Sequence, residues 1–424
     1  MRVLLISANT EKINMPTLPM GLGCVAVTLQ AAGHAVRFLD LMAVGTWQSL
    51  LREALVEPPP EIIGISIRNI DDQFSAAPRF LLESARDVVA FCRAHAQAPI
   101  VLGGAGYSIF PEAVLDYTGA DMGIQGEGEA AFAMLLERLG SSAPTVGVPG
   151  LVLRGRGLQA RPTYARDLDR FALPGPELFD PQLARDPDYY LPIQTRRGCP
   201  LNCSYCSTST IEGRLIRKRS PAFVVDALGR WRAAGYSRVY FVDNVFNLPT
   251  GYAHDLCERL AAAHLGIQWR AILYPGQVSA TLARSMSRAG CREVSLGFES
   301  GVRTILDGMH KRFSPDDIQR TNRFLADAGI GRMGFLLLGG PGETRNSVLE
   351  SLAFADRLKL DALKVTVGPR VYPYTDLARI AVREGVIEPN ADLLRPTFYL
   401  ARGLDAWLRE TVDAWVAERP HWVL

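Results

Sequence analysis

Three cysteines stand within eight residues, Cys199, Cys203 and Cys206, in the run Arg196-Arg197-Gly198-Cys199-Pro200-Leu201-Asn202-Cys203-Ser204-Tyr205-Cys206. The other four of the seven, Cys24, Cys92, Cys257 and Cys291, are scattered. An odd count with one tight cluster is not a disulfide framework and points to metal or redox chemistry. Three thiolates on one short loop suit three corners of an iron–sulfur cubane, which takes soft ligands. No fourth cysteine follows at ferredoxin spacing, so one iron keeps an open position for a ligand that offers an amine and a carboxylate. A zinc site is the competing reading; it needs a fourth ligand, and the closest histidine in sequence is His254.

Other groups able to do chemistry fall just after apolar, β-rich runs. Asp243 and Asn244 follow the run 238–242, Glu299 and Ser300 the run 293–298, and Gly339 and Gly340 the run 333–338. A carboxylate at such an end can take a ribose hydroxyl or an ammonium, and glycines let backbone approach a ligand closely. Strand-end Asp and Asn also commonly cap helices. Nearer the N-terminus, Ser66 lies near the end of a third run, Arg68 follows that run, and Gly103-Gly104 follow a fourth. Arg68 either faces a ligand or pairs with Asp71 or Asp72.

These groups need a scaffold that gathers strand ends. Over residues 1–140, apolar runs at 2–7, 36–39, 61–67, 100–102 and 122–124 alternate with helical spacing at 21–32, 47–56, 78–95, 111–117 and 129–139. That alternation predicts an α/β, doubly wound, flavodoxin-like parallel sheet covered on both faces. Residues 141–190 are crowded with proline, including Pro144, Pro149, Pro174, Pro181 and Pro187, and read as a connector. Strand-like runs at 191–195, 238–242, 268–273, 293–298, 333–338 and 363–367 then alternate with helices, predicting a partial (β/α)6 barrel over 191–395 with its active groups on loops after strands. Residues 396–424 hold one helix, expected at 404–417.

The spacing Cys-x-x-x-Cys-x-aromatic-Cys resembles the signature of the radical S-adenosylmethionine superfamily. The resemblance implies a [4Fe-4S] cluster on Cys199, Cys203 and Cys206 that binds and cleaves S-adenosyl-L-methionine, with Tyr205 backing the cluster near adenine. Loops carrying Asp243, Glu299, Ser300, Gly339 and Gly340 resemble the superfamily's cofactor contacts. Residues 1–140 resemble the cobalamin-binding domain fused ahead of such barrels, through Pro19-Met-Gly-Leu-Gly23, Ala32-Gly-His-Ala-Val36 with Asp40, Gly64-Ile-Ser-Ile-Arg68-Asn69, Gly103-Gly104 and Gly126-Glu-Gly-Glu129. One departure stands out: no histidine lies between Ser7 and Pro19 to reach cobalt. In this the chain resembles tryptophan 2-methylase-like enzymes, in which an arginine occupies that face, and Arg68 is the matching position.

The expected function is transfer of a carbon group from S-adenosylmethionine to a small-molecule substrate of specialised metabolism, such as antibiotic biosynthesis. The group is methyl, by way of cobalamin, or else 3-amino-3-carboxypropyl, as in the enzyme that begins arsinothricin biosynthesis, without need of cobalamin. A cofactor-binding sensor is a third reading, disfavoured by the full set of loops. A flavodoxin or ferredoxin-type electron donor is expected. A net charge of +2, with 48% hydrophobic and 21% charged residues, gives no pull toward nucleic acid or membrane. The N-terminus reads as a first strand, not a signal peptide, and a cytoplasmic setting is expected.

Overall fold

The structure is a computed structural model and describes residues 1–12, 16–43, 46–180, 182–183, 186 and 188–424. Positions 13–15 of the loop after the first strand, and Pro181 and Pro187 of the connector, lie outside these. The chain forms two compact units. One comprises Met1–Asp72, Arg79–Tyr189 and Thr208–Lys218, the other Gln73–Pro78, Tyr190–Ser207 and Arg219–Leu424. Among the described residues no helix is long and apolar enough to cross a membrane.

The first unit is built on strands β1 (Arg2–Ser7), β2 (Ala35–Asp40), β3 (Ile62–Ser66), β4 (Ile100–Gly103), β5 (Met122–Ile124), β6 (Leu151–Leu153) and β7 (Gly157–Leu158), in the order β2-β1-β3-β4-β5-β6-β7. β1 to β5 pair in parallel. Apolar runs such as Val3-Leu-Leu-Ile6 are buried on both sides because helices cover both faces. Those helices are α1 (Met20–Ala31), α2 (Trp47–Val56), α3 (Leu82–His95), α4 (Ala105–Ile109), α5 (Pro111–Thr118) and α6 (Gly128–Gly140). One core joins Val3, Leu5, Ile62 and Val101 of the sheet to Ala26, Leu29, Phe132 and Leu135 of α1 and α6.

Two local differences from the sequence expectation have clear causes. Helical spacing begins near residue 78, yet α3 starts at Leu82. Phe80 forms an antiparallel bridge with Asp71, and the Leu81 N–H donates to the Ile70 carbonyl at 2.7 Å, so this stretch is held extended. Within the proline-rich stretch, β6 and β7 form a hairpin that extends the sheet antiparallel beyond β5. Helix α7 (Thr208–Glu212) completes this unit.

The second unit carries β8 (Leu191–Ile193), β9 (Arg238–Phe241), β10 (Gln268–Leu273), β11 (Cys291–Glu299), β12 (Gly331–Leu338), β13 (Ala362–Val367) and β14 (Trp422–Val423). They form one parallel sheet in the order β14-β13-β12-β11-β10-β9-β8. β8 and β14 are its edges, so the barrel stays partial. The last strand, two residues long, is one more than the sequence pattern announces. Helices α8 (Pro221–Ala233), α9 (Thr250–Ala262), α10 (Ala280–Arg288), α11 (Arg303–Gly308), α12 (Pro315–Asp327) and α13 (Arg345–Arg357) follow successive strands, then α14 (Asp376–Arg383) and α15 (Asp405–Ala417). Ser314 with Asp317, and Thr344 with Ser347, form capping boxes that start α12 and α13. Behind the sheet, Phe241, Phe246 and Trp269 pack ring on ring with centroids 4.9–5.3 Å apart.

Candidate active site

The cysteine loop leaves β8 at a carboxyl strand end, where a parallel barrel gathers its active groups. Gly198 turns the chain with φ +86, a left-handed conformation that glycine adopts without strain. The three thiols beyond it are half-buried. The loop is held on both sides of Cys203. The Ser204 N–H donates to the Met309 carbonyl at 3.2 Å, and the Leu377 N–H donates to the Ser204 carbonyl at 2.8 Å. The His310 ring Nδ1 lies 2.9 Å from the Asn202 carbonyl, to which it donates.

Asp243 stands just after β9 as expected, and its side chain faces the stem of this loop. It is fully buried. Its carboxylate accepts from the Thr195 N–H and hydroxyl, each at 2.6 Å, and from the Arg196 N–H at 2.8 Å. The Arg196 guanidinium lies 3.0 Å from it and is flanked by the rings of Phe246 and Tyr252 at 4.8 and 4.6 Å. The expectation that Asp243 contacts cofactor is therefore corrected: both oxygens are engaged within the protein, and the residue fixes the peptide three positions before Gly198.

Glu299 and Tyr205 do meet. The Tyr205 hydroxyl donates to Glu299 Oε1 at 2.9 Å, and Lys311 Nζ donates to both, at 3.0 and 3.1 Å. Sequence reasoning passed over Lys311. It is buried, and although burial opposes its charge, Glu299, Tyr205 and Cys203 together hold its pKa well above the ordinary lysine value. Burial pushes the Cys203 thiol up, and the Lys311 charge pulls against that shift. Glu299 is aimed by its backbone: β11 shifts register between Gly297 and Glu299, and Glu299 has φ +62. A left-handed conformation costs an L-residue about 1 kcal/mol, which the Tyr205 and Lys311 contacts offset. Ser300, by contrast, is fully buried; its hydroxyl pairs with Ser351 at 2.8 Å and accepts from the Val302 N–H at 3.1 Å. It shapes the turn after β11.

After β12, the Gly339 and Gly340 N–H groups both donate to Glu343 Oε2, the latter at 2.8 Å. The glycine turn is thus tied from beneath by a residue the sequence analysis left aside. Glu343 is buried, its Oε1 has no hydrogen-bond partner, and burial lifts its pKa to about 7 against the pull of the two N–H donors.

In the first unit, the chain runs from β1 outward to β2 and back to β3 on the other side, so the strand order reverses between β1 and β3. A shallow cleft opens there. Asn9, Thr10 and Glu11 line it from the loop after β1, Arg68 and Asn69 from the loop after β3, Leu81 from just before α3 and Ala85 from α3. Such a reversal is where doubly wound sheets bind ligands. Arg68 is exposed at this cleft, and Ser66 and Gly103 are half-buried partners in the β3–β4 register. Gly104 has φ +99, and a Cβ there would lie 2.5 Å from the Ile67 carbonyl oxygen and 2.9 Å from the Ser66 hydroxyl. A Cβ on Gly106 would meet the Arg68 carbonyl at 3.0 Å. These glycines let the start of α4 press against the 66–69 turn. Across the cleft mouth, Arg79 pairs with Glu11 at 2.9 Å and with Asp72 at 3.2 Å.

Among the described residues no three His, Cys, Asp or Glu side chains are grouped to hold one metal ion. The donor set of the cysteine loop, three thiols with no fourth beside them, fits a cubane whose thiolates each take a different iron. The β1–β3 cleft, with a polar rim and the apolar Leu81 and Ala85, fits the edge of a ring that carries amides, as a corrin does.

Comparison with known proteins agrees with this division. Residues 193–355 match the family described as the radical SAM superfamily, and residues 6–136 match the B12 binding domain. The chain is 25% identical over 405 residues to an uncharacterized methyltransferase of Pyrococcus horikoshii, covering 91% of this chain and 84% of that protein. It is 24% identical over 442 residues to tryptophan 2-C-methyltransferase of Streptomyces laurentii, covering 88% and 73%. It is 25% identical over 465 residues to cytidylyl-2-hydroxyethylphosphonate methyltransferase of Streptomyces wedmorensis, covering 94% and 84%. Among solved structures, the fold matches the radical S-adenosylmethionine methyltransferase TsrM of Kitasatospora setae, with tryptophan and a SAM analog bound. The TM-score is 0.88 at 23% identity, over 100% of this chain and 90% of that one. It also matches the cobalamin-dependent S-adenosylmethionine radical enzyme OxsB, with a TM-score of 0.80 at 17% identity, over 98% and 66%.

Proposed function

Because this chain is a radical S-adenosylmethionine protein with a B12-binding domain ahead of its barrel, we propose that it transfers a methyl group from S-adenosylmethionine, by way of cobalamin, to a small-molecule substrate of specialised metabolism. The observation that carries the reading is the presence in one chain of two cofactor cradles: the thiol trio after β8 and the glycine-walled cleft between β1 and β3. Two relatives matched over most of this chain are named as methyltransferases of unlike acceptors, tryptophan and a cytidylyl phosphonate. That fits a shared methyl-delivery apparatus with a variable acceptor pocket.

When bound, the cluster supplies an electron and a chelating iron for S-adenosylmethionine, and cobalamin supplies a methyl-carrying metal. The chain's own residues hold and orient. Cys199, Cys203 and Cys206 grip three irons. Tyr205, Glu299 and Lys311 present a fixed carboxylate and ammonium to the methionyl end or ribose of S-adenosylmethionine. Gly339 and Gly340, braced by Glu343, leave room for its adenosine. Ser66, Arg68, Gly103 and Gly104 line the corrin side. No imidazole comes from residues 8–19, and Arg68 brings a fixed positive charge there instead. The reduced thiols suit a cytoplasmic setting.

The test is anaerobic reconstitution with iron, sulfide and cobalamin, a visible spectrum, and identification of what S-adenosylmethionine becomes. Corrin bands together with S-adenosylhomocysteine are expected, and Cys203→Ala should abolish cluster loading and turnover. Methylthioadenosine without corrin bands would point instead to 3-amino-3-carboxypropyl transfer. No S-adenosylmethionine product under a strong reductant, with Cys203→Ala behaving as wild type, would overturn the reading altogether.

A further inference from the structure

The stretch of chain that leaves the cysteine loop belongs to the first unit. Thr208 follows Cys206 by two residues, and Thr208–Lys218 packs within the unit that carries the β1–β3 cleft. A buried ion pair fastens it there. Arg217, near the end of this stretch, donates to Glu127 Oε1, and the two side chains are 3% and 8% exposed. The other Glu127 oxygen accepts from the Ala165 N–H at 2.9 Å. The Arg217 guanidinium also donates to the Glu212 carbonyl at the end of α7, at 2.6 Å, and lies 4.9 Å from the Tyr164 ring. That ring rests on two glycines of left-handed conformation: a Cβ at Gly126 would lie 3.4 Å from it, and one at Gly213 3.1 Å. Burying two charges is a costly way to gain stability. Here the pair instead clamps three stretches together: the turn after β5, the connector and the exit of the cysteine loop.

A second set of contacts joins α7 to the wall of the cleft. α7 packs on α4. Near the start of α4, the Gly106 N–H donates to the Ile67 carbonyl at 3.0 Å, in the turn that presents Arg68. Near its other end, the Ser108 hydroxyl accepts at 3.0 Å from the N–H of Gly126, the residue before Glu127. The 66–69 turn, α4, α7 and the clamp form one continuous network inside a single unit, and it ends two residues from a cluster ligand.

We propose that Glu127 and Arg217 are a positioning pair that couples the two cofactor sites: cobalamin bound in the first unit holds α7 in place and so slows loss of iron at the Cys206 corner of the cluster. The inference rests on the two-cofactor reading above. A ligand stabilises the unit that binds it, and a loop lets go of iron when it opens locally. Because the stretch beyond Cys206 is part of the cobalamin-binding unit, opening at that end must break contacts that cobalamin has strengthened. Without the clamp, α7 opens alone, and occupancy of the cleft no longer reaches the cysteine loop.

The test follows transfer of iron from the cluster-loaded full chain to a coloured ferrous chelator, anaerobically, with and without hydroxocobalamin. Wild type should lose iron about five-fold more slowly with cobalamin than without it. The double variant Glu127→Gln, Arg217→Gln strands no charge. It should lose iron at one fast rate in both conditions while still retaining cobalamin on gel filtration. Gly213→Ala, which crowds the Tyr164 ring, should lose part of the protection. Gly155→Ala is its match, with φ +72 and nothing within 4 Å of the new Cβ, and should keep all of it. An iron-release rate in wild type that ignores cobalamin overturns the proposal. Protection that survives in the double variant overturns it too, by assigning the effect to cobalamin screening the cluster from the chelator. Should the double variant fail to load either cofactor, the two glycine variants decide, and equal protection in both overturns the proposal. Wild type that retains no cobalamin or loads no cluster fails the cofactor reading instead, a result separable from all of these.

Discussion

Replacing Asp243 by Asn should unfold the barrel unit well before it touches cofactor affinity. The carboxylate takes three hydrogen bonds from Thr195 and Arg196 and faces the Arg196 guanidinium at 3.0 Å, with both side chains almost wholly buried. Asn keeps one carbonyl oxygen for the two backbone N–H groups. Its amide nitrogen then faces a guanidinium, donor against donor, and Arg196 is left as a buried charge without its anion. Breaking a buried pair in this way costs about 3–5 kcal/mol, and Asn lies at the lower end. For a unit of this size, 1 kcal/mol moves the midpoint by about 2–4 °C, so the barrel transition should fall by about 10 °C in anaerobic scanning calorimetry. Iron should leave the loaded variant faster in the presence of a chelator, because the stem of the cysteine loop has lost its anchor. S-adenosylmethionine affinity per remaining cluster should hold. Removing the pair whole, as Arg196→Met with Asp243→Leu, strands no charge but leaves the Thr195 and Arg196 N–H groups without their acceptor, so it should recover only the part of the loss that comes from the charge. A midpoint shift under 2 °C, with S-adenosylmethionine affinity reduced, would refute this reasoning and return Asp243 to the cofactor.

Glu343 has its pKa raised to about 7 from an ordinary value of 4.5. A raised carboxyl stabilises the fold below pH 4.5 and loses that contribution as pH climbs through 7. Across this window wild type should lose about 3 kcal/mol relative to Glu343→Gln, as read from denaturant unfolding at several pH values; parallel pH profiles for the two proteins would sink the idea. Gly104→Ala should cost the first unit about 2 kcal/mol and impair cobalamin retention on gel filtration, because its Cβ would lie 2.5 Å from the Ile67 carbonyl oxygen. Gly33→Ala is the control: φ is +85 there too, but nothing lies within 4 Å of the new Cβ, so only the backbone penalty should register and cobalamin should stay bound.

The scaffold was legible because its signals are periodic. Runs such as Val3–Ile6 and Phe335–Leu338 declare buried parallel strands, and the cysteine spacing declares a ligand loop at one strand end. What stayed hidden depends on direction. A polar residue at a strand end looks the same whether it faces a ligand or the protein, and Asp243 and Ser300 both turned inward. The β6–β7 hairpin was masked by the prolines and glycines around it, which read as connector. Lys311 went unread, and the structure shows why its position matters: in Met309-His-Lys-Arg-Phe313, every second residue is buried. That period of two put Lys311 on the inner side with Met309 and Phe313. Glu343 was equally readable in hindsight, one residue ahead of the Thr344 cap and turned back under the two glycines.

The left-handed turn at Glu299 bears on how this protein can be redesigned. Saturation libraries at 299 should return Asn and Gly more readily than Gln, although Gln is the closer mimic in length, because the peptide geometry filters candidates before their side chains are sampled. Anyone retuning the cofactor contact there does better to vary Lys311 or Tyr205, neither of which has a positive φ, and to leave the bend itself alone.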